Sequence, residues 1–255
     1  MTSAIIIPAR YSSTRFPGKP LIPIAGRDGE KRPLIEHTWR VATSVRQIDQ
    51  IFIATDDERI AETSQQFGAD VIMTSSDCRN GTERCAEALQ QMKNMPEIVV
   101  NLQGDAPLTP PWFIEDLITK LRTNNNYSVA TPVLQCDTTA RERLLHDRRN
   151  GRVGGTTVTF GNNNQALYFS KEVLPYGNAS TYHHVGVYGY RPHALRDFIS
   201  WPEGVLEKSE GLEQLRFLEN GTSVLCVEMN PKGHDFWEIN NPEDVAIIEQ
   251  VYRSS

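Results

Sequence analysis

Short apolar runs rich in isoleucine and valine alternate with stretches whose apolar positions recur every three or four residues. Residues 4–7, 51–54, 71–73 and 97–102 show the first pattern and read as buried strands. Residues 34–45, 57–67 and 82–92 show the second and read as helices. Parallel strands need crossover connections, usually helical. This order therefore predicts an α/β fold with a parallel sheet covered by helices.

The pattern changes in the second half. Residues 127–133, 152–160, 165–169 and 183–190 are strand-like and follow one another with few helices between them. The tract Gly161, Asn162, Asn163, Asn164 reads as a turn joining two of them. The paired glycines Gly154 and Gly155 suggest a bulge or a close backbone approach. Helical spacing returns at 193–200, 210–219 and 242–252, the last with Asn241 as its N-cap and Pro242 at its first position. No Gly-, Ser- or Pro-rich linker separates the halves. The expectation is a single domain, residues 1–255, with an antiparallel β excursion over roughly 127–190.

Composition narrows the function classes. With 39% hydrophobic and 23% charged residues over 255 positions, the chain can bury a sizeable core. No apolar run approaches the ~20 residues of a membrane span. Asp and Glu (32) outnumber Lys and Arg (26), a net charge of -6 that argues against nucleic-acid or anionic-membrane partners. The first apolar run is short and has no basic segment before it, unlike a secretory signal. Cys78, Cys85, Cys136 and Cys226 form no CxxC pair. A reducing, cytoplasmic setting is expected.

Two loops carry candidate chemistry. Residues 8–20, PARYSSTRFPGKP, follow the first strand, where ligands bind in open α/β sheets. Arg10, Arg15 and Lys19 bring three cations within ten positions, beside Ser12, Ser13 and Gly18. Guanidinium groups fork onto phosphate oxygens, and lysine adds a point charge. The same spacing is equally compatible with an exposed, solvated basic loop. The segment matches neither GxxxxGK[ST] nor GxGxxG. The second loop, NLQGDAP (residues 101–107), puts Asp105 just past another strand. There it could bridge to phosphates through a divalent cation, although a lone Asp more often caps a turn.

The ordered set PARYSSTRFPGKPL, ATDDERI, MTSSDCRNGTER, VVNLQGDAP, ALYFSK, HHVGVYGYR, LEQLRFLENG and NNPED closely resembles the bacterial CMP-Kdo synthetase (3-deoxy-manno-octulosonate cytidylyltransferase) family, from Ile5 to about Val251. The resemblance implies a Rossmann-like nucleotidyltransferase fold with a mostly parallel central sheet flanked by helices. It implies that Arg10, Arg15 and Lys19 grip the CTP phosphates, with Gly81, Thr82, Glu83 and Arg84 helping to hold the nucleotide and backbone groups of Pro8 and Ala9 reading the base. Gln103 corresponds to a glutamine between nucleotide and sugar, and Asp105 to a Mg²⁺ ligand. The implied sugar-side residues are Lys171, His184, Tyr188, Tyr190, Glu213 and Gln214, with Arg216 a further candidate for the sugar carboxylate. Read without the resemblance, His184 is more often a structural histidine, Tyr188 and Tyr190 present one strand face to a core, and Leu212 and Leu215 are packing positions.

The implied reaction is attack of the C2 hydroxyl of a 3-deoxy-2-ketoaldonic acid on the α-phosphorus of CTP, releasing pyrophosphate. Arg15, Lys19 and Asp105 would be the catalytic residues, acting by positioning and electrostatics together with Mg²⁺. Implied partners are CTP, an acidic sugar and a second copy of the chain. Three departures fall mainly on the metal and sugar side. Where the family usually reads GVDTPED, this chain has EINNPED, so Asn240 replaces a second metal-ligand aspartate. An uncharged amide oxygen there should weaken metal binding unless Asp235 or Glu238 compensates. Ala106 stands where the family has an acid, and RRNGRVGGTTVTF replaces an NPNxVKVV-like strand. These changes are compatible with a modified acceptor such as an 8-amino sugar, with a different acidic acceptor, or with a CTP-binding module of little transfer activity.

Overall fold

The isoleucines of the first apolar run form β1 (Ser3–Ala9), buried at every position, as expected of a central parallel strand covered on both faces. The structure is a computed structural model describing residues 2–12, 16–152, 155–234 and 237–254. Its contacts group the chain into two compact units, Met1–Glu115 with Pro231–Ser255, and Asp116–Asn230.

In the first unit, β1 is followed by a small antiparallel hairpin, β2 (Pro23–Ala25) and β3 (Lys31–Pro33). Then come α1 (Leu34–Ser44), β4 (Gln50–Thr55), α2 (Glu58–Gln66), β5 (Asp70–Met73), α3 (Gly81–Gln91) and β6 (Ile98–Leu102), after which α4 (Pro111–Thr123) begins in this unit and ends in the second. The sheet order β5-β4-β1-β6 is parallel throughout. All four strands and all three helices expected for this region are present. The register pairs Ala9 with Thr55 and Ile6 with Asn101, so the carboxyl ends of β1 and β6 emerge on one rim. Helix starts follow local chemistry. The Asp57 carboxylate accepts from the Arg59 N–H at 3.0 Å and caps α2, and the Asn80 side chain accepts from the Glu83 N–H at 2.8 Å and caps α3.

The second unit contains β7 (Val129–Gln135), α5 (Thr138–Arg149), β8 (Thr157–Phe160), β9 (Ala166–Ser170), β10 (Tyr182–His184), β11 (Val187–Tyr190), α6 (Pro192–Ser200), α7 (Val205–Glu210), α8 (Leu215–Glu219) and β12 (Val224–Glu228). β7 pairs antiparallel with β10 and β11 and parallel with β12, while β8 joins β10 and β9. The expected turn at 161–164 is present: the Asn164 N–H donates to the Gly161 carbonyl at 2.8 Å, with Asn164 at φ 60°.

Several boundaries differ from the sequence expectation. The strand expected over 183–190 is two strands, broken where the Thr131 hydroxyl meets the carbonyls of Val185 and Val187 at 3.1 and 2.9 Å. The helix expected over 210–219 is interrupted by Gly211, whose φ of +61° suits glycine, and regular helix resumes at Leu215. The strand expected over 152–160 begins at Thr157. Gly154 lies outside the described residues. At Gly155 the close approach is real, because a Cβ there would lie 2.8 Å from His183 Nε2.

The chain returns to the first unit through α9 (Asp244–Ser254). Ile239 and Ile248 are fully buried with Ile24 and Leu34, each such side chain contributing about 2–3 kcal/mol. The Asp244 carboxylate accepts the N–H groups of Asn240 and Asn241 at 2.8 and 2.7 Å. Regular helix therefore starts two residues after Pro242, behind a tight first turn.

Candidate functional site

A cleft in the first unit opens on the rim where β1 and β6 end. Pro8, Ala9 and Arg10 line it from β1, Gln103, Gly104 and Asp105 from the loop after β6, Asn80, Gly81 and Arg84 from the start of α3, and Lys19 and Asn240 from two further loops. The structure thus brings together Pro8, Ala9, Arg10, Lys19, Gly81, Arg84, Gln103, Asp105 and Asn240. Thr82 is buried on the same helix. Arg15 and Asp235 lie outside the described residues. Asn240 lines the cleft and Glu238 is not among its described lining residues.

Each position has a local cause. The tight loop before Lys19 is closed by the Gly18 N–H donating to the Tyr11 carbonyl at 2.9 Å, with Gly18 at φ +70° and a Cβ there only 3.1 Å from the Tyr11 ring. Lys19 Nζ forms an ion pair with the Asp105 carboxylate and donates to the Ile239 carbonyl at 2.8 Å. The Ile239 N–H in turn donates to the Asp105 carbonyl at 3.0 Å. The buried C-terminal segment thereby holds both members of the pair.

α3 presents its N-terminus to the cleft, where exposed N–H groups and the helix dipole favour negative charge. Glu83 stays off the cleft's anion side: its carboxylate accepts the Arg79 N–H at 2.8 Å and Arg79 Nη2 at 2.5 Å. Arg84 is buried, donates to Thr74 Oγ1 at 2.6 Å and pairs with Asp56 at 3.1 Å. That fixed guanidinium acts as a placed charge, whereas exposed Arg10, which donates to the Arg79 carbonyl at 3.5 Å, can swing onto a ligand. Among the described lining residues three cations face a single carboxylate, a balance suited to a small polyanion. Cys78 also lines the cleft. Burial and its hydrogen bond to Glu87 push its thiol up to about 12, so it stays protonated and unreactive.

Among the described residues no group of three or more His, Cys, Asp or Glu side chains could hold a metal ion by itself. Asp105 and Asn240 nevertheless offer one carboxylate and one amide oxygen to the same cleft. That donor set fits Mg²⁺, which typically takes one or two carboxylates and completes its shell with phosphate oxygens and water.

The residues suggested for the sugar side lie in the second unit, apart from Gln103. His184, Tyr188 and Tyr190 are buried there. The His184 ring sits 3.0 Å from Thr131 Oγ1 and packs on Phe169 and Tyr188, and Tyr188 stacks on Tyr190. Burial pushes His184 down to about 3, so its imidazole is neutral. Lys171 follows β9, where Glu210 accepts its N–H at 2.9 Å and the Ser170 hydroxyl at 2.7 Å. Glu213 is half-buried. Gln214 is buried, with its Nε2 lacking a hydrogen-bond partner among the described residues. Arg216 departs from expectation: it is fully buried, donates to both carboxylate oxygens of Glu207 at 2.7 and 2.6 Å, and lies over the Phe198 ring at 4.0 Å. Its fork is taken up internally, as a packed core arginine requires.

Sequence reasoning passed over Asn80, although N-x-x-E at 80–83 carries the capping signature that fixes where α3 starts. It also passed over Asn101, a polar residue in an otherwise apolar strand.

Residues 4–228 match the family described as Cytidylyltransferase. A 3-deoxy-manno-octulosonate cytidylyltransferase of Maricaulis maris is 41% identical over 98% of this chain and 97% of its own. An 8-amino-3,8-dideoxy-manno-octulosonate cytidylyltransferase of Shewanella halifaxensis is 37% identical over 98% of each. A solved CMP:2-keto-3-deoxy-manno-octonic acid synthetase complexed with CTP superposes with TM-score 0.87 at 30% identity, covering 100% of this chain and 99% of that one.

Proposed function

We infer, since this chain belongs to the 3-deoxy-manno-octulosonate cytidylyltransferase family, that its cleft binds CTP and transfers CMP to the C2 hydroxyl of a 3-deoxy-2-ketoaldonic acid, either Kdo or its 8-amino relative. The chain is a nucleotidyltransferase. The observation carrying the substrate reading is the convergence of Arg10, Lys19, Arg84 and the α3 N-terminus on one cleft with the Lys19–Asp105 pair at its rim. The product would be an activated acidic sugar of the kind consumed in lipopolysaccharide assembly.

In this reading Arg10 and Lys19 hold the triphosphate, and Lys19 follows the charge that builds on the phosphoryl oxygens and the departing pyrophosphate. Arg15 of the same loop joins them. Pro8 and Ala9 offer backbone groups to the base, Gly81, Thr82 and Arg84 hold the nucleotide, and Gln103 stands between nucleotide and acceptor. Asp105 and Asn240 would hold Mg²⁺, which when bound supplies charge neutralisation and lowers the pKa of the attacking hydroxyl. Lys171, His184, Tyr188, Tyr190, Glu213 and Gln214 are the proposed acceptor-side set. His184, being neutral, acts there by shape and hydrogen bonding rather than charge.

The enzyme is proposed to be cytoplasmic, where CTP is made; no described helix is long and apolar enough to cross a membrane. A homodimer through the β-rich segment is proposed on the family resemblance.

The deciding experiment is pyrophosphate release from CTP and Mg²⁺ with Kdo, 8-amino-Kdo and other 2-keto-3-deoxy acids, with UTP and ATP as nucleotide controls. Release with CTP and one of these acceptors is expected. CTP binding without release for any acceptor would leave a nucleotide-binding module and overturn the transferase reading.

A further inference from the structure

Asn101 is fully buried on β6, flanked by Val99, Val100 and Leu102, which are also fully buried. Its Oδ1 accepts from Gln103 Nε2 at 3.2 Å, while its own Nδ2 is buried with no hydrogen-bond partner among the described residues. A buried amide with an unmade donor is destabilising, and an apolar side chain at this place would carry no such penalty. The described return for that penalty is the hold on Gln103.

The placement follows from strand geometry. Residues two apart on a strand share a face, so position 101 points the same way as position 103 just beyond the strand end. On the other side the start of α3 closes in, and a Cβ at Gly81 would lie 2.7 Å from Gln103 Nε2. A side chain at position 81 would have to displace the Gln103 amide, so the start of α3 closes tightly on it.

We propose that Asn101 is a positioning residue that fixes the orientation of the Gln103 amide in the cleft. With one N–H donated to the Asn101 oxygen and the start of α3 against the same edge, turning the Gln103 amide over alone would set its oxygen against the Asn101 oxygen. A ligand then meets a defined pattern of donor and acceptor at Gln103. This role rests on the reading above that Gln103 touches the nucleotide or the acceptor. Asn101 itself lies outside the lining of the cleft and acts through Gln103.

The test is a double-mutant cycle of Asn101→Val and Gln103→Ala, read as kcat/KM for transfer and as CTP affinity by calorimetry. Asn101→Val alone is expected to lower kcat/KM by about tenfold to a hundredfold while the melting temperature holds or rises, because the unmade donor is gone. In the Gln103→Ala background the same change is expected to cost less than about twofold. Equal losses in both backgrounds, or no loss in the first, would overturn the proposal. Where Asn101→Val folds poorly, Asn101→Ala takes its place in the cycle, and equal losses with and without Gln103→Ala would again overturn the proposal. If the wild-type chain shows no transfer, the functional reading fails on its own, and the cycle in CTP affinity still decides whether Asn101 acts through Gln103.

Discussion

Lys19 and Asp105, 86 positions apart in the chain, neutralise one another across the rim of the cleft, and the same lysine holds the Ile239 carbonyl. In the proposed reading, a triphosphate that draws Lys19 onto its oxygens would release the Asp105 carboxylate for a cation. Lys19→Met is therefore expected to have opposite effects on two ligands. CTP affinity should fall at least about tenfold, the equivalent of ~1.4 kcal/mol. Divalent-cation affinity without nucleotide should rise severalfold, measured by Mn²⁺ titration followed by electron paramagnetic resonance. Unchanged Mn²⁺ affinity would argue that Asp105 is no metal ligand.

Asn240→Asp tests the other oxygen donor. A second carboxylate beside Asp105 should lower the Mg²⁺ concentration needed for half-maximal transfer by about tenfold, because charge raises the affinity of hard-cation sites. A loss of rate instead would show that the uncharged amide is suited to this site.

The Glu207–Arg216 pair predicts a stability effect. Both side chains are almost completely buried and joined by two hydrogen bonds. Glu207→Ala leaves a guanidinium buried without its partner and should cost about 3–5 kcal/mol in urea unfolding. Glu207→Leu combined with Arg216→Met removes both charges and should cost much less.

His184 sets a pH dependence whose sign follows from its depressed folded-state pKa of about 3 against an ordinary 6.5. Below pH 6.5 the unfolded chain takes up a proton that the buried ring does not. The stability this histidine contributes is thus complete at neutral pH and declines as the pH falls toward 3. Between pH 6.5 and 5 the loss should be about 2 kcal/mol. His184→Gln keeps a hydrogen-bonding group for Thr131 without the titration. Its urea midpoint should fall less steeply than that of the wild type over this interval.

Two helices show what pattern reading captures and what it loses. α4 buries Phe113, Ile114, Leu117, Ile118 and Leu121 and opens on Pro111. That is a full helical stripe with a start signal, so its absence from the expected elements was a missed reading, not missing information. α5 is different: Leu144 is its one described buried residue and its surface is crowded with arginines, so it has no stripe to find. Broken elements were equally hidden. HHVGVYGY carries a glycine at the break, Gly186, but also Gly189 inside β11, so the glycines alone do not tell the two apart, and the Thr131 hydroxyl that meets the break comes from a strand some fifty residues earlier.

For the site, local order along the chain determined a great deal. Apolar periodicity produced the parallel β1, β4, β5 and β6, and a parallel sheet must place the loops after its strands on one rim, so residues 8–20 and 101–107 were legible as neighbours in space. Ordered motifs identified the family, and the structural likeness agrees. Tertiary structure decided which charges are spent inside the protein and which face a ligand. Arg216, Arg84 and Lys19 are all cations within the recognised motifs, yet one is consumed by Glu207, one is fixed by Asp56 and Thr74, and one shares Asp105 and the Ile239 carbonyl. Those partners come from distant segments brought together by burial of apolar surface. Apolar burial is non-directional and does not reveal from the sequence which polar groups will meet.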